Sequence, residues 1–249
     1  MPSSSPGSDT PETSRDFRAT HWSVVLAAGD TQSPESARAL ETLCQAYWYP
    51  LYAFVRRRGY DAHEAEDLTQ SFFTYVLEKK ALGRVDPSKG KFRSFLLASL
   101  NNFLNNEWDK SRRLKRGGGA NVFSFDGIPA DERYCLEPIH GESPEKIFER
   151  KWAEVVLERV VARLSKEFDQ IGQTERFEVL RVFLMSGSRT LPYQNAADRL
   201  GLSVNAVTAA VHRMRTRFRE LFRAEIANTV PGPEDVQDEI RSLLAALTD

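Results

Sequence analysis

Apolar residues in this chain recur every three to four positions over most of its length, and no sustained alternation of apolar and polar residues competes with them. This spacing predicts helices and no strands, because a helix brings every third or fourth side chain to one face and a strand every second. Ser33 and Pro34 read as an N-cap followed by proline at the first helical position. Leu40, Leu43, Tyr47, Leu51, Phe54 and Val55 then keep a helical period, with Pro50 expected to kink or divide it. A shorter helix is expected before it, over 20–29, with Trp22, Val25 and Leu26 on its apolar side. Asp61 opens the next helix, with Ala65, Leu68, Thr69, Phe72 and Val76 on one face and His63, Asp67, Gln70 and Thr74 opposite. Past turn residues at 85–90, a helix over 91–109 buries Phe92, Phe95, Leu96, Leu100, Phe103 and Leu104. Ser94, Asn101, Asn102 and Asn105 lie on its other side. Further helices are expected over 143–170, 175–185, 193–200 and 204–226, and another from Pro233, with Val236, Ile240, Leu243, Leu244 and Leu247 on one stripe.

The expected fold class is all-α: two small helical domains joined by a linker, the C-terminal one containing a helix-turn-helix. The linker is placed at 117–143, where Gly117, Gly118 and Gly119 follow Lys110, Arg112, Arg113, Lys115 and Arg116, and no helical period is sustained. The other expected units are a disordered Ser/Thr/Pro-rich tail at 1–16, an N-terminal domain at 17–116, a C-terminal domain at 144–228 and an amphipathic extension at 229–249. The length of 249 residues suits one or two domains. Lys and Arg number 34 against 35 Asp and Glu, a net charge of −1, so any nucleic-acid-binding charge must be local. Cys44 and Cys135 have no C-x-x-C spacing, which argues against a disulfide framework or a cysteine zinc site. No apolar run long enough for a membrane helix exists, and the first sixteen residues do not resemble a secretory signal. A cytoplasmic protein is the expectation.

Three local patterns bear on function. Between Tyr193 and Arg215, Ala197, Gly201 and Val207 follow A-x3-G-x5-V. A small residue lets two helices cross, glycine makes the turn and a branched residue anchors the second helix. Ser203 caps that helix, and Val204, Val207, Val211, Met214, Phe218 and Leu221 form its buried stripe. Asn205, Thr208, His212, Arg213, Arg215, Arg217 and Arg219 face elsewhere, as groups able to reach bases and phosphates. The second pattern is acidic: Asp61, Glu64, Glu66 and Asp67 crowd a helix start, which suits either the helix dipole or a protein-partner surface. The third is the run of asparagines with Trp108 and the following cations, which suits single-stranded nucleic acid, although taken alone a polar helix before a basic linker accounts for it better. Enzyme signatures are missing: His21, His63, His140 and His212 are scattered, and neither a P-loop nor a G-x-S-x-G string is present.

Taken together, these strings resemble a bacterial RNA polymerase sigma factor of the extracytoplasmic-function type, within the sigma-70 family. AEDLTQSFF, from Ala65 to Phe73, resembles the stretch that docks on the polymerase clamp helices. FRSFLLASLNNFLNNEWDKSRR, from Phe92 to Arg113, resembles the helix that melts and reads the minus-10 element, and Tyr193 to Arg215 resembles the minus-35-reading helix-turn-helix. The resemblance implies Glu66, Asp67 and Gln70 at core polymerase. It implies Asn101, Asn102, Asn105, Asn106, Trp108, Arg112 and Arg113 at minus-10 DNA, with Lys115 and Arg116 nearby. It implies Ser203, Asn205, Thr208, His212, Arg213 and Arg215 at the minus-35 element. Core RNA polymerase and promoter DNA are the implied partners, with an anti-sigma factor or other regulator as a further one. No catalysis, cofactor, metal or membrane insertion is implied. The chain departs from the family at Thr208 and Ala210, where basic residues are common, in its longer linker and in both ends. The acidic stretch from Glu234 to Asp249 either covers the basic recognition surface or packs on the last domain. The competing reading is a helix-turn-helix regulator that never meets polymerase, and a third is an adaptor without a DNA role.

Overall fold

The computed structural model describes Val25, Ala28, residues 36–78, Leu82, Asp86, 90–113, Tyr134, 142–184, 193–230 and 232–248. Among these the chain is all-α, with eight α-helices and no strand. They are α1 (Ser36–Arg57), α2 (Ala62–Glu78), α3 (Phe92–Arg113), α4 (Pro144–Gln170), α5 (Thr174–Leu180), α6 (Tyr193–Leu200), α7 (Val204–Ala227) and α8 (Val236–Thr248). Single 3₁₀ turns, Arg181–Phe183 and Pro233–Asp235, follow α5 and precede α8. The expected start of α1 at Ser33-Pro34, the helix over 20–29 apart from Val25 and Ala28, the N-terminal tail and most of the 117–143 linker lie outside the described residues.

Local chemistry accounts for the helix ends. Ser143 caps α4 by accepting from the Lys146 N–H at 3.3 Å, with Pro144 at the first helical position. Pro50 does not divide α1, which runs unbroken across it. The buried faces follow the expected periods with two exceptions. Val204 and Leu244 are exposed, the first because it stands at the opening of its helix and the second because it sits at the rim of the α8 stripe. Three charged residues are buried among apolar neighbours, Arg93 on α3, Lys151 on α4 and Glu239 on α8.

The buried residues form one contiguous cluster centred on α4. That helix packs most extensively along α1 and also carries α7 and α8. Polar contacts reinforce the seam between α1 and α4. Arg57 Nε donates to the Glu142 carbonyl at 2.8 Å, and Arg159 Nη2 donates to the Thr42 carbonyl at 3.4 Å. Tyr47 on α1 shares a side-chain hydrogen bond with Trp152 on α4, and burial pushes its phenol up to about 12. Tyr134 packs edge-on against Tyr52, with the Arg56 guanidinium 4.8 Å from its ring centroid.

Candidate functional site

The acidic start of α2 divides into two roles. Asp61 and Glu64 form a capping box: the Glu64 N–H donates to Asp61 Oδ1 at 2.8 Å, and the Asp61 N–H donates to Glu64 Oε2 at 3.4 Å. Glu66 and Asp67 take no part in it. Both are exposed, and Asp67 has His63 one turn back at 3.8 Å, itself exposed. Gln70 is half-buried beside them. The face opposite buries Ala65, Thr69, Phe72 and Val76, with the Thr69 hydroxyl donating to the Ala65 carbonyl at 2.7 Å. The helix is thus anchored by one side and capped at its head, leaving a short carboxylate ridge outside.

On α3, Leu96, Leu100, Phe103 and Leu104 hold the helix to the core, and Asn102, Asn105 and Asn106 are exposed with Asn101 half-buried. Trp108 is 53% exposed, an unusual position for the largest apolar side chain. Asn105 and Trp108 line a cleft with Leu104 and with Arg58, Gly59 and Tyr60 from the turn after α1. Its volume is about 470 Å³, within the range of about 300–1,000 Å³ seen for small-ligand sites. Gly59 makes that turn at φ +98°, a left-handed conformation that side chains rarely adopt. The contribution of Arg58 and Tyr60 was not legible from the helix patterns; the signal available was the cation run Arg56-Arg57-Arg58 directly before a glycine turn. The helix continues through Arg112 and Arg113, whose side chains lie outside the described residues.

Helices α6 and α7 meet at a tight turn. Ala197 and Val207 are buried where the helices meet, and Gly201 turns the chain at φ +63°. The Leu202 N–H donates to the Ala197 carbonyl at 2.9 Å and the Gly201 N–H to Asp198 at 3.4 Å, the paired bonds of a Schellman end. Ser203 then caps α7 by accepting from the Ala206 N–H at 3.2 Å. Asn205, Thr208, His212 and Arg213 are exposed beyond it. Ala210 is buried, so its missing positive charge belongs to the packing side of the helix.

The two neighbouring arginines are engaged with protein. Arg215 donates from Nε and Nη2 to the Phe183 carbonyl at 2.9 and 2.7 Å, fixing the 3₁₀ turn against α7. Arg217 pairs with Glu167 and Glu220, both at 2.8 Å. The hydrogen bond from Arg217 holds the Glu167 carboxyl below the usual carboxylate range. Burial, with help from Glu41, pushes the Cys44 thiol up to about 11, which leaves it protonated rather than nucleophilic near neutral pH. Among the described residues no three His, Cys, Asp or Glu side chains gather as metal ligands. Among the described residues no helix is long and apolar enough to cross a membrane.

Residues 43–114, which span most of α1, all of α2 and α3 and the cleft between them, match the family model of sigma-70 region 2. The match supports a sigma-70 family sigma factor. A region 2 implies transcription initiation with RNA polymerase, and binding to the core enzyme and to promoter DNA. The carboxylate ridge of α2 and the asparagine face of α3 both lie inside this region 2, whereas α4 to α8 lie beyond it. No curated protein and no solved structure matches the chain.

Proposed function

We propose that this chain is a cytoplasmic sigma factor of the extracytoplasmic-function type, which docks on core polymerase through α2 and reads a promoter at two places. Glu66, Asp67 and Gln70 form the polymerase contact. Asn101, Asn102, Asn105, Asn106 and Trp108, followed by Arg112 and Arg113, meet the minus-10 element. Ser203, Asn205, Thr208, His212 and Arg213 meet the minus-35 element from the head of α7. Arg215 serves this surface by holding the turn behind α7. The protein acts by binding and opening DNA rather than by turnover.

The observation that carries this reading is the cleft inside region 2, where an exposed indole, an amide and an arginine line a hollow at the end of a helix. An unstacked base entering it gains stacking on Trp108 and hydrogen bonds from Asn105, with the Arg58 charge near its phosphate. Stacking of this kind contributes about 1–3 kcal/mol per base, enough to offset much of the cost of unstacking. The test is transcription from a genomic fragment library with core polymerase, followed by permanganate mapping of the open strand. Asn105→Ala combined with Trp108→Ala is expected to lower opening at least tenfold while duplex binding stays within about twofold. Equal losses in both would overturn the melting role. Duplex binding without comigration with core polymerase on gel filtration would instead favour a helix-turn-helix regulator.

A further inference from the structure

The last helix, α8, carries a fully buried carboxylate. Glu239 is 0% exposed, and its partners come from another part of the chain: Lys91, directly before α3, and Arg93, in its first turn. Arg93 is 4% exposed. It also donates from Nε to Glu149 of α4 at 2.7 Å, and its guanidinium stacks 4.5 Å from the Trp152 ring centroid. Asp235 and Asp238 lie within electrostatic reach of Lys91 as well. Two cations at the head of the proposed minus-10 helix are thus enclosed by four acids, all supplied from beyond region 2.

The composition of the tail fits this arrangement. From Glu234 onward five acids face one base, Arg241. The helix buries only two apolar residues fully, Val236 and Leu243, with Ile240 and Leu247 packed part-buried against the core and Leu244 left half exposed. It does not cover the exposed head of α7, since Asn205, Thr208, His212 and Arg213 remain accessible. Its charged contact is with α3. A guanidinium N–H donates to a carboxylate or to a phosphate alike, so the two anions are alternatives at Nη1 of Arg93, while its Nε stays with Glu149. Asn101 lies eight residues past Arg93, about 12 Å along the helix axis, so a strand on the asparagine face passes close to these cations. Lys91, 34% exposed, gives solvent-side access to the cluster.

We infer that α8 is a displaceable acidic clamp, in which Glu239 occupies the place of a nucleic-acid phosphate at Lys91 and Arg93, so that closing α8 withholds two cations from DNA. Release of α8 returns both cations to the strand held on α3. The DNA half of this inference rests on the function proposed above; the clamp itself does not.

The test uses the full chain. Glu239→Gln leaves Lys91 and Arg93 without their buried counter-charge and is expected to raise hydrogen exchange across the α8 amides while α2 and α6 keep their protection. Affinity for a short single-stranded oligonucleotide at fixed salt is expected to rise about tenfold. The slope of log affinity against log salt is expected to steepen by roughly 1.5, near 0.7 for each of two new phosphate contacts. The double variant Asp235→Asn, Asp238→Asn leaves the buried carboxylate in place and is expected to move both readouts in the same direction by about twofold, so the clamp stays testable if Glu239→Gln does not fold. Unchanged α8 exchange in both variants would overturn the clamp. Faster exchange with unchanged affinity and slope would overturn the phosphate role. Loss of core-dependent transcription in the wild-type chain, with α8 exchange still responding, would overturn the sigma reading and leave the clamp standing.

Discussion

Arg93 and Arg217 each sit on one helix and are held by carboxylates that include one from another, yet they differ in kind. Arg93 lies among buried residues, paired with Glu149 and Glu239 and stacked on Trp152, and it is 4% exposed. Arg217 bridges Glu167 and Glu220 on the outer side of α7 and is 45% exposed. Water competes for the second arginine and barely reaches the first. Similar ion-pair geometry therefore makes a structural joint at the head of α3 and a weak, salt-sensitive contact on α7. An arginine of the second sort can leave its carboxylates for a DNA phosphate at little cost, whereas one of the first sort leaves only if the helices around it part.

Measurements can break this comparison in order of size. Arg93→Ala is expected to lower the unfolding free energy by about 3–5 kcal/mol, because it strands Glu239 with Lys91 alone and removes the cover from Trp152. Urea unfolding checks this, and a loss below about 1 kcal/mol would mean that burial does not govern the joint. Arg215→Ala is intermediate, with an expected loss of about 1.5–3 kcal/mol, since two charged hydrogen bonds from this half-buried side chain to the carbonyl of buried Phe183 disappear. Arg215→Lys should recover only part of it, because an ammonium lacks the fork that makes both bonds. Arg217→Ala is expected to cost no more than about 1 kcal/mol, shrinking further in high salt. The sign of its pH dependence is set by Glu167, whose carboxyl is held low in the folded state. Its contribution is present above the ordinary carboxylate range and is lost as pH falls through the lowered value. Wild type and Glu167→Gln should therefore differ in urea midpoint at pH 7 and converge in acid; a difference that grows in acid would reverse the assignment.

Much of the scaffold was legible in the chain. The helices at 144–170 and 193–200 coincide with the expected spans, because a Ser-Pro start and the A-x3-G-x5-V turn specify their ends locally. The faces of α2 and α3 were readable from period alone. The acidic patch of α2 could not be apportioned in advance, because capping depends on whether a carboxylate reaches a backbone N–H three residues away. Asp61 and Glu64 do so, and Glu66 and Asp67 are left facing outward. Glu239 had a signal that period analysis passes over: it stands within the Val236, Ile240 and Leu243 stripe, and a carboxylate there must find a cation.

The sequence by itself determined the helical class, several of the helix ends and which polar groups lie outside the apolar stripes, because spacing, capping and turn residues act within a few positions. It also determined that charge would be local, since 34 cations and 35 acids nearly cancel over the chain. Only the tertiary structure decided which of those charges are spent on the protein itself. Lys91 and Arg93 meet Glu239 almost 150 residues away, and Arg215 meets a carbonyl 32 residues back. Such pairings are set by how helices pack, and burial, which comes only with packing, determines whether an arginine is a joint or a hand free for DNA.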